Sequence, residues 1–239
     1  MNIVITMAGY GRRFKNAGYS MPKYMIEAKG KFLFEWSMTS LKGFFKQTSK
    51  SIFIVQKCEN AGNFIRQICE KIGMPNPFFI EIDYLTDGQA TSAALASALW
   101  DIDDELLIYN IDTHVEPYTL TYEQIKGDGF IPCFNAPGNH WSFVRCDKDG
   151  LAGEVREKTR ISDNCTIGLY YFKSCRLFDK LYRFYYAEAK NIEKAERYIA
   201  PMYNQLIKNG GKVYIQQISE EKVHCLGTPE ELNQFIQGS

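Results

Sequence analysis

The sequence predicts an α/β fold: a three-layer α/β/α sandwich around a mostly parallel, mixed central sheet. Three observations predict it. Strand-like and helix-like segments alternate from residue 2 to about 135. The run Leu106-Leu107-Ile108 is continuously apolar, as parallel strands covered on both faces are. Beyond residue 135 three strand-like segments follow one another without helices between them, which adds a β-rich part to the same sheet.

Each element has its own reason. Asn2 to Met7 is a short apolar strand with Ile3, Val4 and Ile5 at its centre. Ala8 to Tyr24 holds three glycines and a proline and reads as a loop. Phe32 to Leu41 places Phe34, Met38 and Leu41 on one helical side. A strand at Ser51 to Val55, a helix at Asn60 to Lys71 and a strand at Phe78 to Asp83 follow. Thr91 to Trp100 is a helix of small residues suited to close packing, and Glu105 to Asn110 is the next strand. In the second half, Trp141 to Asp147, Leu151 to Arg156 and Thr166 to Phe172 read as strands. Leu177, Phe178, Leu181, Phe184 and Tyr185 share one helical face. A further helical segment runs from Ile192 towards Lys208, with Pro201 expected to kink or divide it. Lys212 to Gln216 is a strand. Thr228 to Ile236 is a helix with Thr228 as N-cap, Pro229 at its first position and Glu231 completing a capping box.

The 239 residues are 45% hydrophobic and 23% charged, which reads as one globular domain over 1–239 with two halves meeting near residue 135. Lys plus Arg and Asp plus Glu total 28 each, and a net charge of zero counts against a nucleic-acid partner. Seven cysteines (58, 69, 133, 146, 165, 175, 225) form no CxxC pair. That excludes a disulfide framework or zinc knuckle and fits a reducing cytoplasm. None of the three histidines stands in a ligand-pair spacing. The five apolar residues at the N-terminus run into Gly and Arg, so no signal peptide is expected. The alanine-rich Ala90–Trp100 is half of a membrane span, so no membrane partner is expected either.

Zero net charge hides a segregation. Residues 1–31 carry Arg12, Arg13, Lys15, Lys23, Lys29 and Lys31 against one acid, Glu27, whereas residues 81–128 carry eleven acids against Lys126. One segment suits an anion and the other a cation. Brought together, they suit a metal-bound phosphate chain.

The strand-following turn Met7-Ala-Gly-Tyr-Gly-Arg-Arg-Phe14 sharpens this. Glycines there let backbone N–H groups approach a phosphate without Cβ obstruction. The dinucleotide fingerprint needs a third glycine where Phe14 stands, and no Gly-Lys-Ser/Thr phosphate loop occurs. What remains is Gly9, Gly11 and Arg13, followed by Pro22-Lys23. On these residues the chain resembles the nucleotidyltransferases that join nucleoside triphosphates to sugar 1-phosphates and related phosphate monoesters, the pyrophosphorylase-like family. The resemblance implies a Rossmann-like nucleotide-diphospho-sugar transferase fold, with about 1–135 as the nucleotide-binding half and about 136–239 as the acceptor-binding half.

Four later stretches match the family in order. By resemblance the turn at Ala8, Gly9 and Gly11 wraps the triphosphate, and Arg13 and Lys23 contact its phosphates. Gly88 and Gln89, ahead of the small-residue helix, are the candidates for contact with the nucleobase. Asp112, at the carboxyl end of an apolar strand, is the counterpart of the Mg²⁺-holding aspartate. Glu157 would accept from acceptor hydroxyls and Lys158 would hold the acceptor phosphate, ahead of Gly168 in Gly-Leu-Tyr-Tyr-Phe172. Val223-His-Cys-Leu-Gly-Thr-Pro229 matches the C-terminal signature except that Cys225 stands where many members have a second metal-binding aspartate. Sulfur is a poor Mg²⁺ ligand. Three outcomes follow: Asp112 with phosphates and water alone, recruitment of Asp83 or Asp87, or loss of catalysis. His114, close to Asp112, reads as a packed or solvated residue. With Ser239 last, the extra left-handed helical domain of some relatives is expected to be missing.

The expected reaction is therefore NTP plus phosphate monoester giving an NDP-linked product and pyrophosphate, with Mg²⁺ as cofactor, serving surface polysaccharide or cell-envelope synthesis. Rival readings stay open: a CTP-dependent cytidylyltransferase acting on a small phosphate such as phosphocholine, a GT-A-like glycosyltransferase, or a catalytically silent nucleotide-binding protein. The base, the acceptor and a homo-oligomeric state are also open.

Overall fold

A computed structural model describes residues 1–57, 61–192 and 195–238. The expected helix start at Asn60, the thiol of Cys58 and residues 193–194 of the expected second helical segment lie outside the described residues.

The first half alternates as expected. Strand β1 (Asn2–Met7) is followed by α1 (Arg12–Asn16), the short β2 (Glu27–Ala28) and β3 (Lys31–Phe32), and α2 (Leu33–Thr39). Then come β4 (Lys50–Gln56), α3 (Ala61–Ile72), β5 (Pro77–Ile82), α4 (Gln89–Leu95), β6 (Leu106–Asn110) and β7 (Thr113–Val115). The second half contains β8 (Gly129–Phe134), β9 (Ser142–Cys146), β10 (Ala152–Glu157), β11 (Cys165–Thr166), β12 (Leu169–Phe172), α5 (Cys175–Tyr185), α6 (Tyr203–Lys208), β13 (Val213–Gln217), β14 (Val223–Cys225) and α7 (Pro229–Gln237).

One ten-stranded sheet carries both halves, in the order β10-β9-β11-β8-β12-β6-β1-β4-β5 with β13 beside β8. Strands β6, β1, β4 and β5 pair in parallel. Strand β12 pairs antiparallel with β6 and opens the antiparallel part. The sheet is thus mixed, and both faces are covered. Ile3, Ile5, Phe53 and Tyr109 face one buried cluster, while Val4, Ile52, Ile54, Leu106 and Ile108 face the other. That double burial is why these strands are apolar throughout rather than alternating.

Four sequence expectations change. The Ala8–Tyr24 loop contains α1, because Phe14 is 1% exposed and anchors one helical turn in the core. Thr166–Phe172 is interrupted between β11 and β12 at Gly168, whose φ of +81° leaves the extended region. Phe184 is 60% exposed rather than on the buried face of α5, since Phe178 and Leu181 already fill the contact with the sheet. Residues 195–199 are not helical: Ala195 has φ +62°, and α6 begins only after a 3₁₀ turn at Ala200–Met202 that includes Pro201. Among the described residues no helix is long and apolar enough to cross a membrane.

Candidate active site

The site lies beyond the carboxyl ends of β1 and β6, at the edge where parallel α/β sheets leave a crevice. Strand β1 delivers the chain to Ala8–Gly11. Gln56, at the end of β4, donates from Nε2 to Ala8 O at 2.7 Å and to Tyr84 O at 2.8 Å, which pins this turn to the loop after β5. Gly11 has φ +61° and caps α1, a left-handed position that glycine takes without strain. A Cβ at Gly9 would meet no atom within 4 Å, so the protein's own packing does not demand glycine there. The space is open to a ligand. Arg13 is exposed on α1 and forms no ion pair among the described residues.

Lys23 follows Pro22 and opens a 3₁₀ turn whose Tyr24 is buried. Its Nζ donates to Asp112 Oδ1 at 2.5 Å. The lysine side chain is 10% exposed and the aspartate 52%. Lys23 of the basic segment and Asp112 of the acidic segment, 89 positions apart, therefore meet in one half-exposed pair. Asp112 is fixed by its backbone. Its N–H donates to Asn110 Oδ1 at 3.2 Å, and its carbonyl accepts from Leu226 N at 2.7 Å. Gly168 borders the same feature, since a Cβ there would lie 2.1 Å from Asn110 Nδ2.

The residues present fit a divalent cation in one way. Asp112 offers hard carboxylate oxygens and already holds a cation, the Lys23 ammonium. A Cβ at Gly227 would sit 3.6 Å from Asp112 Oδ2 and 3.1 Å from Glu231 Oε2, so this glycine leaves room beside the carboxylate. Cys225 pairs with Thr113 next to Asp112, but burial, with the Glu231 and Asp112 carboxylates, pushes its thiol up to about 12. A protonated, soft sulfur is not a Mg²⁺ ligand. Among the described residues no group of three or more His, Cys, Asp or Glu side chains is arranged for a metal. Asp87 is engaged by Arg197, and Asp83 follows β5, three strands from β6 and so about 14 Å away. The donor set suits a magnesium ion that completes its shell with phosphate oxygens and water. His114 is packed: it is 4% exposed, its Nδ1 lies 2.7 Å from Trp36 O, and its ring stacks on His224.

Of the other expected site residues, Gly88 and Gln89 stand at the start of α4, and Glu157 and Lys158 at the end of β10. Gln89 opens α4 and donates from Nε2 to Thr6 Oγ1 on β1 at 3.2 Å. Gly88 has φ +138°, and a Cβ there would lie 2.4 Å from Arg197 O and 2.6 Å from Arg197 N. Close passage of another chain segment, which the sequence does not announce, thus requires this glycine. Glu157 ends β10, is buried and accepts from Ser142 Oγ. Lys158 follows in the left-handed region at φ +52°. Its ammonium lies 3.9 Å from Glu157 Oε1 and 3.8 Å from Glu196 Oε2, and donates to the Tyr198 hydroxyl. Ser142, Asn110, Glu196, Arg197 and Tyr198 are the residues the sequence reading missed. Tyr203, further along the same segment, is core and donates to Tyr171 O. A hollow of about 930 Å³ between α5 and α6 contains none of these side chains.

No protein-family model matches the sequence, and no curated protein matches it. Solved structures do. The nucleoside-diphosphate-sugar pyrophosphorylase from Vibrio cholerae RC9 is 33% identical, with 98% of this chain and 99% of that one aligned at a TM-score of 0.90. The inositol-1-phosphate CTP transferase from T. maritima is 13% identical over 99% of this chain and 96% of that one, with a TM-score of 0.72. The CTP:phosphocholine cytidylyltransferase from Streptococcus pneumoniae is 15% identical over 99% and 97%, with a TM-score of 0.71. The latter two share the fold. With a third of its residues identical across nearly the whole of the Vibrio cholerae chain, and with that fold, this protein belongs to the pyrophosphorylase-like nucleotidyltransferase family and is an enzyme of that kind.

Proposed function

We propose that this nucleotidyltransferase joins a nucleoside triphosphate to a sugar 1-phosphate or similar phosphate monoester, giving an NDP-linked product and pyrophosphate. The observation that carries the reading is the 2.5 Å contact between Lys23 and Asp112, which, with Lys23 Cβ 3.7 Å from where a Cβ on Gly11 would stand, sets the strand-terminal acid beside the glycine-rich basic turn. An acceptor phosphate oxygen forms a bond to the α-phosphorus while the bond to the bridging oxygen of pyrophosphate breaks. A phosphate monoester is largely dianionic near neutral pH, so its oxygen needs no general base. Catalysis then consists of positioning and neutralising charge.

The residues divide the work. N–H groups of the Ala8–Gly11 turn and the Arg13 guanidinium cradle the triphosphate. Lys23 exchanges its contact with Asp112 for a phosphate oxygen. Asp112 would hold Mg²⁺, which when bound offsets the charge of the triphosphate and of departing pyrophosphate. Gly88 and Gln89 face the base. Lys158 places the acceptor phosphate, and Glu157, one oxygen of which accepts from Ser142, receives acceptor hydroxyls. Hydroxyl recognition by a buried carboxylate favours a sugar phosphate over phosphocholine, and the Tyr198 ring already faces the Lys158 ammonium, 4.4 Å from its centroid. The glycosyltransferase reading leaves Arg13 and Lys23 without a task. The reaction belongs in the cytoplasm, where triphosphates are made, and its product in surface polysaccharide or cell-envelope synthesis. A screen of four NTPs against a panel of phosphorylated acceptors for released pyrophosphate tests this. Release must require one NTP and one acceptor together. Nucleotide-dependent thermal stabilisation with no pyrophosphate from any pair would instead make the protein a silent nucleotide binder.

A further inference from the structure

The segment 195–199 touches both the loop around Gly88 and the side chain of Lys158. On the nucleotide side it pairs by backbone around Gly88: Arg197 N donates to Asp87 O at 2.7 Å, and Ala90 N donates to Arg197 O at 3.0 Å. Arg197 Nε also lies 3.1 Å from Asp87 Oδ2, and Nη1 donates to the Tyr182 hydroxyl at 2.9 Å. On the acceptor side, the next residue, Tyr198, accepts from Lys158 Nζ and donates to Glu196, while its ring lies under the same ammonium. Tyr186 donates to the Tyr198 carbonyl and holds the strap from behind. Three consecutive residues thus clasp the nucleotide loop and the acceptor lysine.

We infer that Tyr198 is a positioning residue for Lys158, and that the strap carrying it couples the nucleotide loop to the acceptor phosphate site. The inference rests on the proposed role of Lys158 in holding the acceptor. A lysine has four rotatable stem bonds and no preferred direction of its own. A hydroxyl, a carboxylate and a ring face together fix where its ammonium points. Because the strap is paired to both sides of Gly88, a base that orders this loop also orders the strap. Nucleotide binding therefore raises affinity for the acceptor, and the converse holds by linkage.

Two measurements test this. In protein labelled with [¹³C]lysine, the ε-methylene signal of Lys158, assigned through Lys158→Arg, is expected away from the other lysines because the adjoining ammonium is held by the Tyr198 hydroxyl and faces Glu157 and Glu196. Tyr198→Leu returns it to the bulk position. So does Gly88→Ala, whose methyl displaces the Arg197 backbone, and Arg197→Gln shifts it in the same direction should Gly88→Ala fold poorly. A bulk-position signal in the unaltered protein, or one that neither loop variant moves, overturns the coupling. With the substrate pair found in the pyrophosphate screen, Tyr198→Phe raises the acceptor KM at least about fivefold and leaves the NTP KM measured at low acceptor concentration unchanged. No rise, or equal rises in both, overturns the positioning role. If the unaltered protein releases no pyrophosphate with any pair, the proposed function fails, and the lysine spectra alone decide the strap.

Discussion

Replacing Lys23 or Asp112 separates chemistry from stability. Lys23→Met keeps most of the apolar stem and removes the ammonium, whose Nζ lies 5.6 Å from the Phe14 ring centroid. Asp112→Asn keeps the shape and the backbone bonds to Asn110 and Leu226. The pair is half open: Asp112 is 52% exposed, so water screens the attraction despite the short contact. Such pairs contribute about 1 kcal/mol or less to stability. In a chain of this length that moves the melting temperature by roughly 2–4 °C. In the proposed reaction the same ammonium sits beside a phosphoryl group gaining charge in the transition state, where removing one positioned donor lowers turnover about 10²–10³-fold. Calorimetry and pyrophosphate-release kinetics on the same preparations read both quantities. A further consequence follows from the apo contact. In EDTA, Asp112→Asn frees Lys23 and removes a negative charge from the phosphate site, so it binds NTP more tightly than the unaltered protein. In magnesium its turnover collapses. Turnover within tenfold of normal in both variants, or NTP binding in EDTA unimproved by Asp112→Asn, refutes the assignment.

Gly168→Ala places a methyl 2.1 Å from Asn110 Nδ2 at a backbone φ of +81°, and is expected to cost about 2 kcal/mol or more in urea unfolding, partly restored by adding Asn110→Ala. Burial lowers His114 to about 4 from 6.5. The unfolded chain then binds the proton more readily, so the stabilisation from a neutral His114 is complete above pH 6.5. It is lost as pH falls from there to about 4, by up to about 3 kcal/mol. Urea midpoints at pH 7.5 and 5 must differ more in the unaltered protein than in His114→Asn. Thr228→Ala removes the hydroxyl that accepts from Glu231 N and is expected to cost about 1 kcal/mol, with turnover reduced only if α7 moves the Asp112 turn. Cys225→Asp supplies an oxygen ligand beside Asp112 and should tighten Mn²⁺ binding, measured by titration calorimetry, at a cost in stability from a buried carboxylate.

The alternation of β and α segments was legible because the first-half strands are buried on both faces and the helices on one. Periodicity reports that difference directly. Short elements were not legible. Strand β14 has three residues and exists because Val223–Cys225 pair with β7, an element the sequence marks only by Val115. Helix α1 is written in one side chain, Phe14, whose burial depends on Ile26, Leu33 and Leu226 arriving from elsewhere. The exposed Phe184 misled for the opposite reason. The spacing puts it on the apolar stripe of α5, but it is 60% exposed, because Phe178 and Leu181 fill the contact with the core.

The site divides along the same line. Residues whose task is imposed by a nearby backbone feature carry a local signature. Gly11 caps a helix in the left-handed region, and Asp112 follows an apolar strand, so both could be read from their neighbours. Glu196, Arg197 and Tyr198 carry no such mark, because their partners are 40 residues upstream at Lys158 and more than a hundred upstream at Asp87. Gly88 shows how the two kinds of information meet. Its glycine was legible and its expected partner was a nucleobase, whereas in the fold the Arg197 backbone occupies the side where a Cβ would stand. A glycine that admits a chain segment on one face still leaves the other face of the loop for a base. Under the proposed function the conformation that accepts the nucleotide is also the one that docks the strap, and substitution at Gly88 is expected to disturb Lys158 even though the two are 70 residues apart in sequence.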